Sequence, residues 1–153
     1  MNDSKLNEIA LKVSGQIRKN HNSIILSVSP DRVREACGLI VNEIPELYHL
    51  TTITGVDIGN SIQVYYHFWQ GNDFLSVKTE AKKDNPVLDS LSDLLPSCLL
   101  YEAEVKDLLG VIFKGNPMMD RKLLLPENYP DQAPPPLRKE ADPEQIRKMM
   151  GLE

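Results

Sequence analysis

Cysteine and histidine are scarce in this sequence, and neither is spaced as a metal ligand. Of the 153 residues only two are cysteines, Cys37 and Cys98, and three are histidines. Iron–sulfur clusters usually need four thiolates, and structural zinc sites need closely spaced cysteine and histidine ligands. The sequence therefore predicts a chain with no metal centre and no cofactor of its own, whose two cysteines are reduced thiols in an apolar core.

Other features linked to activity or targeting are also missing. The sequence has no GxGxxG, P-loop or GxSxG motif, so nucleotide binding and nucleophilic catalysis have no recognisable signature. No apolar run approaches the ~20 residues that span a bilayer. The first 15 residues are polar and amphipathic and contain no signal-peptide hydrophobic region. We therefore expect a cytoplasmic chain that reaches a membrane only through partner proteins.

An excess of positive charge is absent as well. Lysine and arginine number 17 against 22 aspartate and glutamate residues, which gives a net charge of −5. Phosphate backbones are bound by basic surfaces, so nucleic acid is excluded as the main ligand. The apolar fraction of 41% and the charged fraction of 25% are ordinary for a soluble globular protein.

The spacing of apolar residues predicts an α+β fold. We expect helices over residues 3–18, 33–44, 87–95 and 98–109, the last ended by Gly110 in the left-handed conformation. Strands are expected over residues 24–28, 48–56, 62–69 and 74–79, and turns at 57–60 and 70–73 join the last three as an antiparallel meander. The prediction is one domain over residues 1–125, with a mixed, mainly antiparallel sheet and helices packed on it.

The composition changes after residue 125. Six of the eleven prolines lie between Pro126 and Pro143, so residues 126–153 are expected to form an extended tail near polyproline II. Asp142 is expected to cap a final short helix with Ile146, Met149 and Met150 on its apolar face. Because an extended segment cannot bury its own apolar residues, we expect the tail to dock on another surface. Its deletion should leave a folded domain that no longer joins a complex.

Three carboxylates on the 98–109 helix are the main candidates for a functional site. Glu104 and Asp107 are three residues apart and share a helix face, whereas Glu102 points elsewhere and is expected to pair with Lys106. An acid–base pair lacks a nearby nucleophile or second polar cluster. The composition alone favours a solvated helix face. The third interpretation is an acidic patch that receives arginines or backbone donors from a partner.

Two other segments also have a plain structural interpretation. Residues 115–117, Gly-Asn-Pro, are typical of a simple turn, and anion binding by its backbone amides has only this weak signal. The aromatic residues from Tyr65 to Trp69 are typical of core packing. Since strand neighbours face opposite sides, some of these rings are expected to lie outside the main core, under a helix or a partner.

From Thr51 to Glu140 the sequence resembles the 30-kDa subunit family of respiratory complex I and the related subunits of membrane-bound, energy-converting nickel–iron hydrogenases. The likeness begins at ITGVDIGNSIQVYYHF, residues 53–68, which is similar to the strand–turn–strand of that family and its Tyr-His pair. It continues through residues 86–91 and is strongest in the family signature of acids, glycine, phenylalanine and proline. The matching positions are Glu102, Glu104, Asp107, Leu108, Leu109, Gly110, Phe113, Gly115, Pro117 and Arg121.

The closing Pro-Leu-Arg-Lys-acid motif of the family is matched by residues 136–140. The chain departs from the signature at Ala103, where the family has arginine, and at Asn116, where it has histidine. Alanine cannot form the bidentate ion pair of an arginine, so we expect a different contact network at the partner interface. These departures and the short chain favour a hydrogenase or another ferredoxin-linked relative over a quinone reductase.

The resemblance implies a cofactor-free scaffold subunit of the hydrophilic arm of an ion-translocating oxidoreductase. Such a subunit lies on the inner face of the cell membrane. It docks on a large subunit resembling the nickel–iron hydrogenase large subunit, beside iron–sulfur subunits, and the iron–sulfur clusters and any nickel–iron site or flavin belong to those partners. No catalytic, cofactor-binding or metal-binding residue is implied for this chain. The expected partner interface comprises Glu102, Glu104, Asp107, Gly110, Phe113, Pro117, Arg121, Leu137, Arg138 and Lys139.

Within that interface we expect Glu104 and Asp107 to receive partner donors, and Arg121, Arg138 and Lys139 to meet acids. Replacing Asp107 by alanine is then expected to impair assembly more than the stability of the isolated domain. Three alternatives stay open at this point: a member of an NADH:quinone-type complex, a free-standing small-molecule-binding or enzymatic domain, and an adaptor in an unrelated soluble complex. The second would need a pocket with convergent polar groups.

Overall fold

A five-stranded sheet organises the chain. The computed structural model describes residues 3–21, 23–44, 47, 49–70 and 73–152. The elements in chain order are α1 (Asp3–Lys12), β1 (Gln16–Asn20), β2 (Ser23–Ser27), α2 (Val33–Glu43), β3 (Leu50–Asp57), β4 (Ser61–Gln70), β5 (Asp73–Lys82), β6 (Val87–Asp89), α3 (Cys98–Leu109), β7 (Ile112–Lys114) and α4 (Pro143–Met149). Tyr48 of the expected 48–56 strand, and Gly71 and Asn72 of the expected 70–73 turn, lie outside the described residues.

The sheet has the order β1-β2-β5-β4-β3. The pairs β3–β4, β4–β5 and β1–β2 are antiparallel, and β2 lies parallel to β5. The predicted mixed, mainly antiparallel sheet and its meander are therefore confirmed. A second, two-stranded parallel sheet joins β6 to β7.

The helices pack on one face of the sheet. On β4 this inner face carries Ile62, Val64, Tyr66 and Phe68, all with 0% exposure, in the alternating pattern of a strand with one buried side. The opposite face carries a stack of Tyr65 on His67 and, across strands, of Trp69 on Phe74. Trp69 is 54% exposed, so the expectation that some aromatic rings lie outside the core is correct for this chain.

The helix predicted over residues 3–18 is too long. Helix α1 ends at Lys12, Ser14 adopts a positive φ of 51°, and residues 16–20 pair with β2. Ile17 fits a helical spacing as well as a strand, and its partly buried side chain packs against the core from β1. The non-local backbone pairing with β2 thus overrides the local periodicity, as tertiary context often does.

The short helix predicted over residues 87–95 is also wrong. Val87–Asp89 form strand β6 against β7, and turns follow, with the amides of Leu94 and Leu95 donating to the carbonyl of Leu91. By contrast, α3 spans residues 98–109 as predicted, and Gly110 follows it with φ 73° in the left-handed region.

The proline-rich segment does not form one extended stretch. Four turns bend it, each closed by a backbone hydrogen bond between residues three apart, starting at Pro126, Pro130, Pro135 and Arg138. The final helix α4 is present, and the Asp142 carboxylate accepts from the amides of Glu144 and Gln145 as expected for an N-cap. Prolines remove amide donors, and these turns leave the remaining amides able to bond locally.

Candidate functional site

Helix α3 lies against the inner face of β3, and Gly55 permits this close approach. A Cβ atom at Gly55 would lie 2.3 Å from Leu109 Cδ1 and 3.3 Å from Val105 Cγ1. A glycine in a strand often marks such a contact with a neighbouring element. The carboxylates of α3 are therefore placed by a tight helix–sheet contact.

Glu102 is fully buried, and its carboxylate joins three segments of the chain. Its Oε2 accepts from Ser90 Oγ at 2.6 Å and from Asn116 Nδ2 at 2.9 Å, and its Oε1 accepts from the Leu91 amide at 2.8 Å. Burial raises the pKa of Glu102, and these hydrogen bonds act in the opposite direction. The carboxylate connects α3 to the 90–92 turn and to the loop after β7.

The two departures from the family signature lie at this buried centre. Asn116 is 5% exposed and supplies an amide donor to Glu102, and its Nδ2 also donates to the Leu99 carbonyl. Ala103 has 0% exposure. In this chain both positions are therefore inside the domain, where Asn116 provides a donor to the carboxylate. The turn pattern of residues 115–117 gave no sign of this contact.

Asp107 is also buried, at 2% exposure, and fixes the segment that follows the β7 turn. Its Oδ2 accepts from the amides of Leu123, Leu124 and Leu125 at 2.6, 2.7 and 3.2 Å. Lys106 Nζ lies 2.8 Å from Asp107 Oδ1, so Lys106 pairs with Asp107 and not with Glu102 as predicted. Adjacent side chains reach each other here because both turn towards the 121–125 segment.

The pKa of Asp107 is lowered despite its burial. Desolvation acts to raise this pKa, but the Lys106 ammonium and the three backbone amides together outweigh it. Asp107 thus receives backbone donors, as one expectation had it, and these donors come from its own chain.

The C-terminal end of α3 is capped by the proline-rich segment. The Leu137 amide donates to the Leu108 carbonyl at 3.0 Å, and Arg138 Nε donates to the Leu109 carbonyl at 2.8 Å. These bonds satisfy two of the carbonyls that a helix leaves free at its end, and the guanidinium favours the negative end of the helix dipole. Gly110 is needed here because a Cβ would lie 2.9 Å from Pro135 Cγ, in addition to its positive φ.

A second anchor holds the same segment at the end of β3. The Asp57 carboxylate accepts from Lys83 Nζ at 2.8 Å, from the Lys139 amide at 3.0 Å and from the Gly59 amide at 2.8 Å. Lys83 also pairs with Glu140 at 2.7 Å. Burial acts to raise the pKa of Asp57, but Lys83 and the two amides hold it well below its usual range. The sequence indicated only a turn at 57–60, so this anchor was not predicted.

The remaining residues of the expected interface differ in exposure. Phe113 is fully buried, whereas Pro117, Arg121, Leu137 and Lys139 are exposed. Glu104 is partly exposed on α3, and among the described residues its carboxylate has no ion-pair or hydrogen-bond partner. The structure therefore brings Glu102, Asp107, Gly110, Phe113 and Arg138 into contacts within the chain. It leaves the other five at the surface.

Two searches of the described residues complete this picture. They contain no cluster of three or more histidine, cysteine, aspartate or glutamate side chains that is able to hold a metal ion. Within the same ranges, none of the helices has the length and apolar character needed to cross a bilayer.

Comparison with known proteins assigns the chain to a family. Residues 26–147 match the family described as the respiratory-chain NADH dehydrogenase 30 Kd subunit. The chain belongs to this family. The predicted resemblance is confirmed, and the match covers most of the sheet, α3, its carboxylates and the proline-rich segment that caps it.

Curated relatives of this 30 Kd family member come from different complexes. The chain is 32% identical to a subunit of the NADH-quinone oxidoreductase of Roseiflexus castenholzii, over 74% of its length and 66% of the relative. It is also 32% identical to the beta subunit of the membrane-bound hydrogenase of Pyrococcus furiosus, over 68% of the chain and 62% of that protein. The chain thus spans somewhat less than two thirds of both relatives. A subunit of the F(420)H(2) dehydrogenase of Methanosarcina mazei matches at 26% identity over 74% of the chain and 72% of that protein.

Solved structures share the fold of this 30 Kd family member. A chain of the archaeal membrane-bound sulfane sulfur reductase superposes with a TM-score of 0.79 at 24% identity, covering 95% of this chain and 89% of that one. The trypsin-resistant fragment of Nqo5 superposes with a TM-score of 0.63 at 22% identity, covering 76% of this chain and 98% of the fragment. These likenesses establish the fold.

Proposed function

We propose that this chain is a cofactor-free scaffold subunit in the hydrophilic arm of a membrane-bound, ion-translocating oxidoreductase. It docks on a partner resembling the nickel–iron hydrogenase large subunit, next to iron–sulfur subunits, on the cytoplasmic face of the membrane. Membership of the 30 Kd subunit family supports this proposal, because relatives that match are named as subunits of NADH-quinone oxidoreductase, membrane-bound hydrogenase and F(420)H(2) dehydrogenase.

One observation in the structure carries the proposal beyond the family match. The two buried acids of the family signature each accept three hydrogen bonds from other segments of the chain, at Glu102 and Asp107. Their carboxylates join turns and loops to one helix and support a fixed surface. Electron transfer between clusters depends on fixed separations, so a rigid brace contributes to turnover without chemistry of its own.

The proposed interface has two kinds of residue. Glu104, Pro117, Arg121, Leu137 and Lys139 meet the partner directly, with acids of the partner facing the two cations. A second group shapes the surface from within the chain and comprises Glu102, Asp107, Gly110, Phe113 and Arg138.

Within this class we place the chain with the energy-converting hydrogenases or a ferredoxin-linked relative. The departures at Ala103 and Asn116 support this choice over an NADH:quinone-type complex. Relatives of both kinds match at 32% identity, so the metal content of the complex is the deciding measurement.

The test is affinity purification of the tagged chain from gently solubilised membranes, with mass spectrometry, metal analysis and flavin analysis of the product. We expect a large hydrogenase-like partner to copurify with nickel and iron. Iron without nickel, together with flavin, would select the NADH:quinone-type alternative. A chain that purifies alone without metal would overturn the scaffold function, and the same tag on an unrelated soluble protein controls for carry-over.

A further inference from the structure

The two edges of the five-stranded sheet differ in their protection. Strand β1 forms one edge with five residues, and it contains Arg18 and Lys19. Strand β3 forms the other edge with eight residues, LTTITGVD, and contains no lysine, arginine or proline. Edge strands carry unpaired amides and carbonyls, and proteins usually blunt an exposed edge with charge, proline or a short length. Only the irregular register between Leu50 and Thr52 interrupts β3.

Strand β3 pairs with one neighbour among the described strands. Its register with β4 runs from Leu50 opposite Phe68 to Asp57 opposite Ile62. Backbone groups that alternate along an antiparallel strand point towards the neighbour and away from it. The side of β3 that faces away from β4 therefore presents donors and acceptors suited to another extended chain.

An apolar groove runs beside this edge. It has a volume of about 160 Å³ and is lined by Ile53, Thr54 and Gly55 of β3 and by Leu108 and Leu109 of α3. Leu137 forms part of the rim with 59% of its surface exposed. A groove next to an open strand edge accommodates the alternate side chains of an added strand.

Glu104 supplies the charge of this groove. It lines the groove, is partly exposed, and has no ion-pair partner among the described residues. An occupant with one lysine or arginine near the rim would complement it, since electrostatic complementarity fixes register and selects partners.

We propose that β3 receives an extended segment of a partner protein as a sixth strand. Apolar side chains of that segment enter the groove, and one of its basic side chains pairs with Glu104. The inference rests on the proposed function, because it requires a complex with partner proteins. It adds the location of one contact and the chemistry of the segment that makes it.

A second copy of this chain fits the site less well. Two copies joined edge to edge through β3 would each offer the strand LTTITGVD, which has no basic residue to meet Glu104. Its one charged side chain, Asp57, is already bound by Lys83 and the Lys139 amide. The charge of the groove therefore favours a different protein.

Hydrogen–deuterium exchange tests the proposal on the isolated chain and on the purified complex. We expect peptides covering residues 50–57 to exchange at least tenfold more slowly in the complex. Peptides covering β1, residues 16–20, should be unchanged and serve as the matched edge. Unchanged exchange at 50–57 in an intact complex would overturn the added strand alone, whereas a wild-type chain that purifies without partners would overturn the proposed function and this inference together.

Charge reversal provides an independent test. Glu104→Lys should reduce the yield of copurified partner about tenfold, whereas Glu127→Lys, an exposed acid of the proline-rich segment, should leave the yield unchanged. Circular dichroism of both variants establishes that they are folded. Equal yields, or a wild-type chain that sedimentation shows to be a dimer protected at 50–57, would overturn the proposal.

Discussion

At the scale of single residues, the acids of α3 do different work although they lie within two turns. Glu102 and Asp107 are enclosed and hydrogen-bonded by other segments, whereas Glu104 faces the groove at the surface. The difference follows from the helix face each occupies, because only the first two lie where a turn or loop brings donors. The number of acids in this helix therefore does not measure the acidity of its surface.

Replacing Asp107 by alanine should lower the free energy of unfolding by about 2 kcal/mol, because three amides and Lys106 lose their acceptor. The matched variant Glu104→Ala on the same helix should change it by less than about 0.5 kcal/mol. Urea denaturation of both purified variants measures the difference.

Equal unfolding midpoints for these two variants would show that Asp107 does not stabilise the 123–125 segment. The expectation from the sequence, that Asp107→Ala impairs assembly more than stability, stays a prediction. The intrachain contacts of Asp107 lead us to expect losses in both.

At the scale of elements, the closest contact is between α3 and β3. Gly55→Ala should destabilise the protein by about 1–3 kcal/mol, since the new methyl group would displace the buried Leu109 side chain. Gly38→Ala is the control, because its Cβ would lie 3.7 Å from its nearest neighbour and alanine favours the α2 helix. Thermal unfolding should therefore shift in opposite directions, and a neutral Gly55→Ala would contradict the close approach.

The anchor at Asp57 makes the attachment of the proline-rich segment sensitive to pH. The folded-state pKa of Asp57 lies below its unfolded value of about 3.9. Its stabilisation is therefore fully present above about pH 4 and is lost as the pH falls through the folded-state pKa.

In Asp57→Asn, the unfolding free energy should decline less steeply below pH 4 than in the wild type and should be lower at pH 7. The control Asp131→Asn changes a side chain that is 97% exposed and should follow the wild-type profile. Denaturation curves over a pH series provide the measurement, and parallel profiles for all three proteins would rule out the anchor.

At the scale of the whole molecule, the segment after residue 125 is part of the structure of the domain up to Glu140. It caps α3 through Leu137 and Arg138 and binds Asp57 through Lys139. The division into a 1–125 domain and a docking tail stays a prediction about independent folding. The contacts indicate that the two parts stabilise each other.

Two truncations separate these roles. A chain ending at Leu125 should keep its circular dichroism but lose about 2 kcal/mol or more of unfolding free energy, because the α3 carbonyls and Asp57 lose donors. A chain ending at Glu140 removes α4 and its flanking residues and should retain nearly all of the stability. We expect the shorter chain to fail to copurify with partners. A 1–125 chain as stable as the full protein would contradict the capping role.

The sequence by itself determined the features that depend on local chemistry. Helix α3, its glycine end, the β3–β4–β5 meander and the Asp142 cap follow from periodicity, turn residues and capping preferences between neighbours in the chain. The family also followed from the sequence, because its signature residues keep their order and spacing from Glu102 to Arg121.

Only the tertiary structure decided what depends on distant partners. It converted residues 16–20 and 87–89 into strands, because backbone pairing with β2 and β7 outweighed their helical spacing. It placed Glu102, Asp107 and Asp57 as internal anchors, because most of their donors come from segments 11 to 82 residues away. Burial and long-range hydrogen bonds are properties of the packed chain, and local sequence patterns do not specify them.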